Sequence, residues 1–106
     1  MKRIGFQFKV QADKLDEYKK HHEAVWPEML EALRRTGWHN YTLFLREDGL
    51  VFGYFETPND FQTALDGMAQ EAINDKWQDF MTPFIDADGE HADKNMLELT
   101  EVFHLD

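Results

Sequence analysis

The middle of the chain carries two strand patterns separated by a tight-turn signal. "WHNYTLFL" and "LVFGYFE" are rich in aromatic and β-branched residues, and "REDG" lies between them. An Asp-Gly pair between two such runs is typical of a β-hairpin, because glycine tolerates the positive φ that the turn needs. The hairpin requires a sheet to pair with, so the flanking segments must supply further strands and a cover for one face.

The segment before the hairpin predicts a strand and then an interrupted helix. In "RIGFQFKV", Ile4, Phe6, Phe8 and Val10 alternate with other residues, as in a half-buried strand. Asp13 is the predicted N-cap of a helix that ends at Gly37. Pro27 cannot sit inside a regular helix, so the pattern predicts a break near residues 25 and 26, with Pro27 starting a second helical segment.

The segment after the hairpin repeats the order of helix and then strand. In "TPND", Thr57 is the predicted N-cap and Pro58 the first helical residue. This helix runs to about Met68, and a second segment runs from Gln70 to about Met81. "DADGEHADKN" reads as a polar loop, and the alternation in "LELTEVFHL" predicts a last strand.

The resulting order, β-α-β-β-α-β, predicts an α+β fold of the ferredoxin-like type, with a four-stranded antiparallel sheet and helices on one face. A length of 106 residues predicts one domain over residues 1–106. The other face of the sheet would be rich in Phe, Leu and Trp. Since such a face needs a cover, we expect a homodimer packed through the sheet face.

Composition excludes several classes of function. A formal charge of -10 disfavours nucleic-acid binding, which depends on a basic patch. The absence of cysteine removes thiol catalysis and thiolate metal sites. No apolar run is long enough to cross a membrane, and the N-terminal segment alternates instead of resembling a signal peptide. We therefore expect a cytoplasmic protein that binds a neutral or cationic small molecule.

The helix before Pro27 carries the candidate acid–base group. Tyr18, His22 and Trp26 are spaced four residues apart, so they share one helical face with the apolar stripe. His22 is either a core histidine satisfied by a backbone carbonyl or a proton-transfer group in a pocket opened by the kink. His21 is rotated by about 100° and is expected to face solvent.

Other candidates are less specific. Glu17 and His21 are an i, i+4 pair, but neither they nor the remaining histidines form a recognised metal motif, so no metal is expected. Trp77 either fills the core or forms a platform for a ligand such as a sugar. Tyr41 lies on a strand whose register is unknown, and a one-residue slip would move it to the other face.

Several spaced motifs together resemble the L-rhamnose mutarotase family. They are Tyr18-x-x-x-His22-x-x-x-Trp26-Pro27-Glu28, Gly37-x-His39-Asn40-Tyr41, Trp77 four residues before Met81, and the terminal "EVFHL". The resemblance implies a dimeric α+β barrel that interconverts the α and β anomers of L-rhamnose without metal or organic cofactor. It also implies that His22 is the general acid and that Tyr18, Tyr41 and Trp77 bind the substrate.

Two departures from that family bear on sugar choice. Gln78 stands where members commonly have a second tryptophan, and "DADGEHADKN" replaces an Asn-Pro-Asp-Asn-Ser-Pro-like loop. Because glutamine offers hydrogen bonds instead of a flat apolar surface, the substrate contact at Gln78 must differ. The preferred sugar could thus be L-rhamnose or a related 6-deoxy or pentose sugar. A rival class is an α+β-barrel monooxygenase-like or stress-responsive binding dimer, whose apolar cavity would not need the hydroxyl and imidazole of Tyr18 and His22.

Overall fold

The computed structural model describes residues 1–87 and 89–106 and contains one four-stranded sheet. The strands are β1 (Lys2–Lys9), β2 (His39–Leu45), β3 (Leu50–Thr57) and β4 (Leu97–Leu99). Their order across the sheet is β2-β3-β1-β4, and every neighbouring pair is antiparallel. This arrangement confirms the predicted α+β class and the ferredoxin-like order of elements.

Helices cover one face of this sheet. They are α1 (Leu15–His22), α2 (Pro27–Arg35), α3 (Phe61–Ala69) and α4 (Ala72–Met81), with short 3-10 turns at Thr82–Phe84 and Ala92–Lys94. Ile4, Phe6 and Phe8 of β1 are buried beneath them, as the alternation predicted. None of the helices in residues 1–87 and 89–106 is long and apolar enough to cross a membrane.

The helical region before the hairpin is interrupted where the proline predicted. α1 ends at His22, and Trp26 has the extended ψ of 134° that a residue preceding proline favours. Pro27 then occupies the first turn of α2, where its missing N–H leaves no hydrogen bond unmade. The predicted cap at Asp13 is wrong. α1 begins after Lys14 and has no side-chain cap, because the chain first turns through a Lys14 N–H to Gln11 carbonyl bond.

The start of α3 also differs from the prediction. Thr57 is the last residue of β3 and pairs with Lys2, so it cannot cap a helix. The cap is Asp60, whose Oδ1 accepts a hydrogen bond of 2.8 Å from the backbone N–H of Thr63. The helix therefore begins at Phe61, three residues later than the Thr-Pro signal indicates.

The predicted last strand is much shorter than its alternation indicates. β4 pairs only with the segment Gly5 to Gln7 of β1, and residues 100–106 form neither strand nor helix. Alternating residues form a strand only where a partner strand is available. Val102, Phe103 and Leu105 consequently remain highly exposed.

The open face of the sheet carries an apolar row instead of the broad aromatic surface that was expected. Phe44 pairs with Phe52, Phe52 pairs with Gln7, and Gln7 pairs with Leu97. The three apolar members of this row are exposed. The predicted tryptophan is missing from this face. Trp38 is buried in the core beneath the helices, and the other two tryptophans pack against each other elsewhere.

Candidate active site

A cavity of about 410 Å³ lies between the helices and the sheet. Its wall includes all five residues that the sequence predicts as catalytic or substrate-binding, which are Tyr18, His22, Tyr41, Trp77 and Gln78. Most of the remaining wall is apolar and comes from the sheet, from α2, α3 and α4 and from the segment after α4, including Phe8, Met29, Leu33, Met68, Met81 and Ile85. The cavity thus combines a few polar groups with an apolar surround, as small-molecule sites commonly do.

The orientation of the His22 ring is set by its own helix. Nδ1 lies 3.0 Å from the backbone oxygen of Tyr18, and because a carbonyl oxygen only accepts, Nδ1 carries the hydrogen. In the neutral ring, Nε2 then has a free lone pair. Burial lowers the pKa of His22 below its usual 6.5, despite the opposing effect of the bond to the Tyr18 carbonyl. The imidazole is therefore neutral at neutral pH.

The contact with the Tyr18 carbonyl is compatible with both interpretations of His22 that the sequence left open. His22 has the backbone partner expected of a structural histidine, and it also lines the cavity. Its ring centroid lies 4.4 Å from that of Tyr18 and 5.6 Å from that of Trp77, which meets it edge-on. One nitrogen is used for positioning, and the other remains available for proton transfer.

Two tyrosines of the cavity keep their phenol hydrogens. Burial raises the pKa of Tyr18, and burial together with the nearby Tyr18 raises the pKa of Tyr41. Both side chains are consequently neutral at any physiological pH. A neutral phenol can donate one hydrogen bond and accept others, which suits a ligand with hydroxyl groups.

A bulge in β2 brings Tyr41 to the cavity side of the sheet. His39 pairs with Glu56 and Thr42 pairs with Tyr54, so two residues of β2 face one residue of β3 between these pairs. Asn40, in the bulge, has a φ of 50°. Without the extra residue, Tyr41 would lie opposite Tyr54 on the open face. This irregularity decides the question that sequence alone left open.

Trp77 belongs to both the core and the cavity wall. It is buried, and its ring meets that of Trp26 edge-on at 5.0 Å between centroids. Trp26 lies in the break before α2, so the interruption at Pro27 places it over α4. The alternatives of core residue and ligand platform are therefore not exclusive for Trp77.

His21 differs from its expected position. It is half-buried instead of facing solvent, and its ring packs against Phe80 and Phe84 at centroid distances of 4.8 and 5.1 Å. Its ring is absent from the cavity wall in the part of the chain that the structure describes. Within the same residues, no three carboxylate or imidazole side chains are grouped as a metal site.

Gln78 is one end of a polar chain along the cavity wall. Its Nε2 donates to Asn74 Oδ1 over 3.2 Å, and Asn74 Nδ2 donates to Asp93 Oδ2 over 3.0 Å. Asn74 and Asp93 also line the cavity. The sequence analysis missed both. Asn74 could have been found from its spacing of one helical turn before Gln78, whereas nothing in the polar loop distinguishes Asp93 from its acidic neighbours.

Comparison with known proteins decides the family. Residues 3–105 match the family model described as L-rhamnose mutarotase. The L-rhamnose mutarotases of Oceanobacillus iheyensis and Bacillus subtilis are 41% and 36% identical to this chain, in alignments that cover 100% of each protein. The chain belongs to the L-rhamnose mutarotase family.

A crystal structure from the same family has the same fold. The L-rhamnose mutarotase of Formosa agariphila superimposes with a TM-score of 0.82 and 26% sequence identity, over 100% of both chains. The sequence comparison and the structural comparison therefore point to the same family, the L-rhamnose mutarotases. These findings do not favour the rival monooxygenase-like or stress-responsive class.

Proposed function

We propose that residues 1–106 form one domain that interconverts the α and β anomers of L-rhamnose or a closely related 6-deoxy sugar. The observation that carries this proposal is the placement of His22. Its Nδ1 is bound to the Tyr18 carbonyl, while its ring lies in the wall of a cavity large enough for a small molecule. The identity of the sugar is inferred from the relatives, which are named L-rhamnose mutarotases.

The reaction needs two proton transfers at the anomeric centre. In ring opening, the O1 hydroxyl loses its proton, the bond from C1 to the ring oxygen breaks, and the ring oxygen gains a proton. O1 is then the oxygen of an aldehyde. Rotation about the C1–C2 bond presents the other face of the aldehyde, and the reverse transfers close the ring. No electrons leave the sugar.

His22 suits these transfers because it is neutral and can accept a proton at Nε2. Once protonated, it is the general acid that the family resemblance implies, and the same nitrogen can work in opening and in closing. The phenols of Tyr18 and Tyr41 would bind sugar hydroxyls. Trp77 and the apolar wall would pack against the C–H face and the C6 methyl group.

We also propose that the protein is a homodimer packed through its sheet face. Phe44, Phe52 and Leu97 form an exposed apolar row there, and the exposed side chains of Val102 and Phe103 follow β4. A two-fold axis would bring two such surfaces together, since each is its own partner. A cytoplasmic location stays a prediction from sequence, which fractionation of the source cells would test.

The decisive experiment measures anomer exchange directly. Saturation of the α anomeric proton of L-rhamnose should reduce the β signal when catalytic amounts of the protein are present, well beyond the spontaneous exchange in buffer. A panel of 6-deoxy sugars run in the same way would rank substrates. If neither L-rhamnose nor any close relative shows enhanced exchange, the proposed activity is wrong.

A further inference from the structure

The carboxylate of Asp93 is only half satisfied by the protein. Its Oδ2 accepts from Asn74, but Oδ1 is buried and has no hydrogen-bond partner within residues 1–87 and 89–106. Burying a carboxylate oxygen without a partner costs free energy, because the lost hydration is not replaced by a hydrogen bond. Most buried polar groups are paired for this reason. Asp93 lines the cavity, so a ligand there could supply the missing donor.

The charge on Asp93 also orients two neighbouring amides. A carboxylate accepts but cannot donate, so Asn74 must direct its NH₂ group at Asp93 and its oxygen at Gln78. Gln78 must in turn direct its NH₂ group at Asn74. The Oε1 of Gln78 is the atom left over at the end of the chain, and it is an acceptor. The negative charge of Asp93 therefore fixes which end of each amide, in Asn74 and in Gln78, faces its neighbour.

We propose that Asp93 Oδ1 and Gln78 Oε1 form an acceptor pair that binds hydroxyl donors of the sugar and disfavours anionic sugars. This inference rests on the proposed function. Both atoms are acceptors and both residues line the cavity, so a hydroxyl group meets either of them as a donor. A sugar carboxylate or phosphate would instead bring a second negative charge into an apolar cavity, where charge repulsion is weakly screened.

The described residues that line the cavity carry no positive charge that would offset this repulsion at neutral pH. No Lys or Arg is present among the described residues that line the cavity, and its one imidazole, His22, is neutral at neutral pH. Asp93 is therefore a substrate-binding residue that sets selectivity between neutral and acidic sugars. Asn74 is a positioning residue, which acts through Asp93 and Gln78.

The test compares Asp93→Asn with Gln78→Met. Hydrogen bonds to charged groups are the stronger kind, so Asp93→Asn should raise the KM for L-rhamnose by about 10- to 100-fold. Gln78→Met removes a neutral acceptor and should raise KM by only about 2- to 10-fold. In both variants kcat and its pH profile should stay near those of the unmodified protein, since His22 is intact. The control is Asp75→Asn, an exposed acid beside Asn74, which should change nothing.

A second measurement isolates the charge. The dissociation constants of L-rhamnose and of its C6-carboxylate counterpart are measured by NMR titration, which needs no turnover. The unmodified protein and Gln78→Met should both bind the acid at least about 10-fold more weakly than the neutral sugar. Asp93→Asn should lose most of that preference. Equal selectivity in all three proteins would overturn the inference, as would an unchanged KM in Asp93→Asn.

The two proposals fail in different ways. If the unmodified protein binds L-rhamnose but shows no anomer exchange, the proposed function is wrong, while the binding selectivity of Asp93 can still be measured. If exchange is normal and a folded Asp93→Asn variant matches the unmodified protein in KM and selectivity, only the role of Asp93 is wrong. Should Asp93→Asn fail to fold, the KM of Gln78→Met decides, and no increase there rejects the acceptor pair.

Discussion

His22 donates a hydrogen bond from Nδ1 to the backbone oxygen of Tyr18, 3.0 Å away and one helical turn earlier. This bond fixes the ring without using Nε2, so that nitrogen stays available for proton transfer. His22→Ala should lower the rate of anomer exchange by about 100-fold or more, the usual contribution of general acid–base catalysis. The measurement is saturation transfer between the anomeric protons.

The neighbouring histidine provides the matched control. His21→Ala removes an imidazole that packs on Phe80 and Phe84, away from the cavity. It should lower the melting temperature somewhat and leave the exchange rate per folded molecule unchanged. Equal losses of activity in the two variants would show that His22 acts through the packing of α1 and not through proton transfer.

Acidic pH should inhibit anomer exchange through protonation of His22. Because burial lowers its pKa below 6.5, the ring is neutral near pH 7 and becomes charged only in more acidic solution. The enzymatic rate should therefore be level around neutral pH and fall as pH drops through the folded-state pKa, below 6.5. Rates corrected for spontaneous exchange give this profile. A midpoint above 6.5 would contradict the neutral imidazole.

The stability of the folded protein should also depend on pH through His22, and it should decrease in acidic solution. Since the folded-state pKa of His22 is the lower one, the unfolded chain binds more protons between that pKa and about 6.5. The free energy of unfolding should thus decrease as pH falls through this window. The free energies of unfolding of the unmodified protein and of His22→Gln, measured by denaturant titration, should approach each other as pH falls through this window. The reason is that the variant lacks the titrating group.

The conformation of Asn40 should matter for both stability and substrate binding. Asn40 has a φ of 50°, which asparagine and glycine tolerate far better than β-branched residues. Asn40→Val should cost roughly 1–2 kcal/mol of stability and raise KM, because a strained bulge displaces Tyr41. Asn40→Gly loses only the exposed bond of 3.2 Å to Glu56 and should be mild. Equal melting temperatures for the two variants would exclude backbone strain.

Apart from the cap at Asp13, features that depend on neighbouring residues in sequence were predictable, and those that depend on distant pairing were not. The break at Pro27 is a local effect of the proline ring, and it was placed correctly. The start of α3 was wrong because Thr57 pairs with Lys2, more than fifty residues away. The side of Tyr41 depends on a bulge measured against β3, and the role of Asp93 depends on its contact with Asn74 across nineteen positions.

A glycine in β3 gives room to the central aromatic ring of the core. Gly53 pairs with Phe6, and a Cβ atom added at Gly53 would overlap the Phe6 ring. Gly53→Ala should therefore destabilise the protein by about 1–3 kcal/mol, as overpacking of a core does. Gly5 is the control on the other face, where an added Cβ would lie 3.5 Å from Phe52 Cζ, an ordinary contact. Thermal unfolding should separate the two alanine variants clearly.

The proposed dimer predicts that one charge on the open sheet face separates the subunits. Phe52 is partly exposed in the middle of the apolar row, between Phe44 and Gln7. Phe52→Glu would bury a carboxylate in the sheet-to-sheet contact, which is unfavourable without a partner. Light scattering after size exclusion should give twice the chain mass for the unmodified protein and the chain mass for the variant. Ala72→Glu adds the same charge at an exposed position at the start of α4 and should remain dimeric. A monomeric unmodified protein at micromolar concentration would reject the sheet-face dimer.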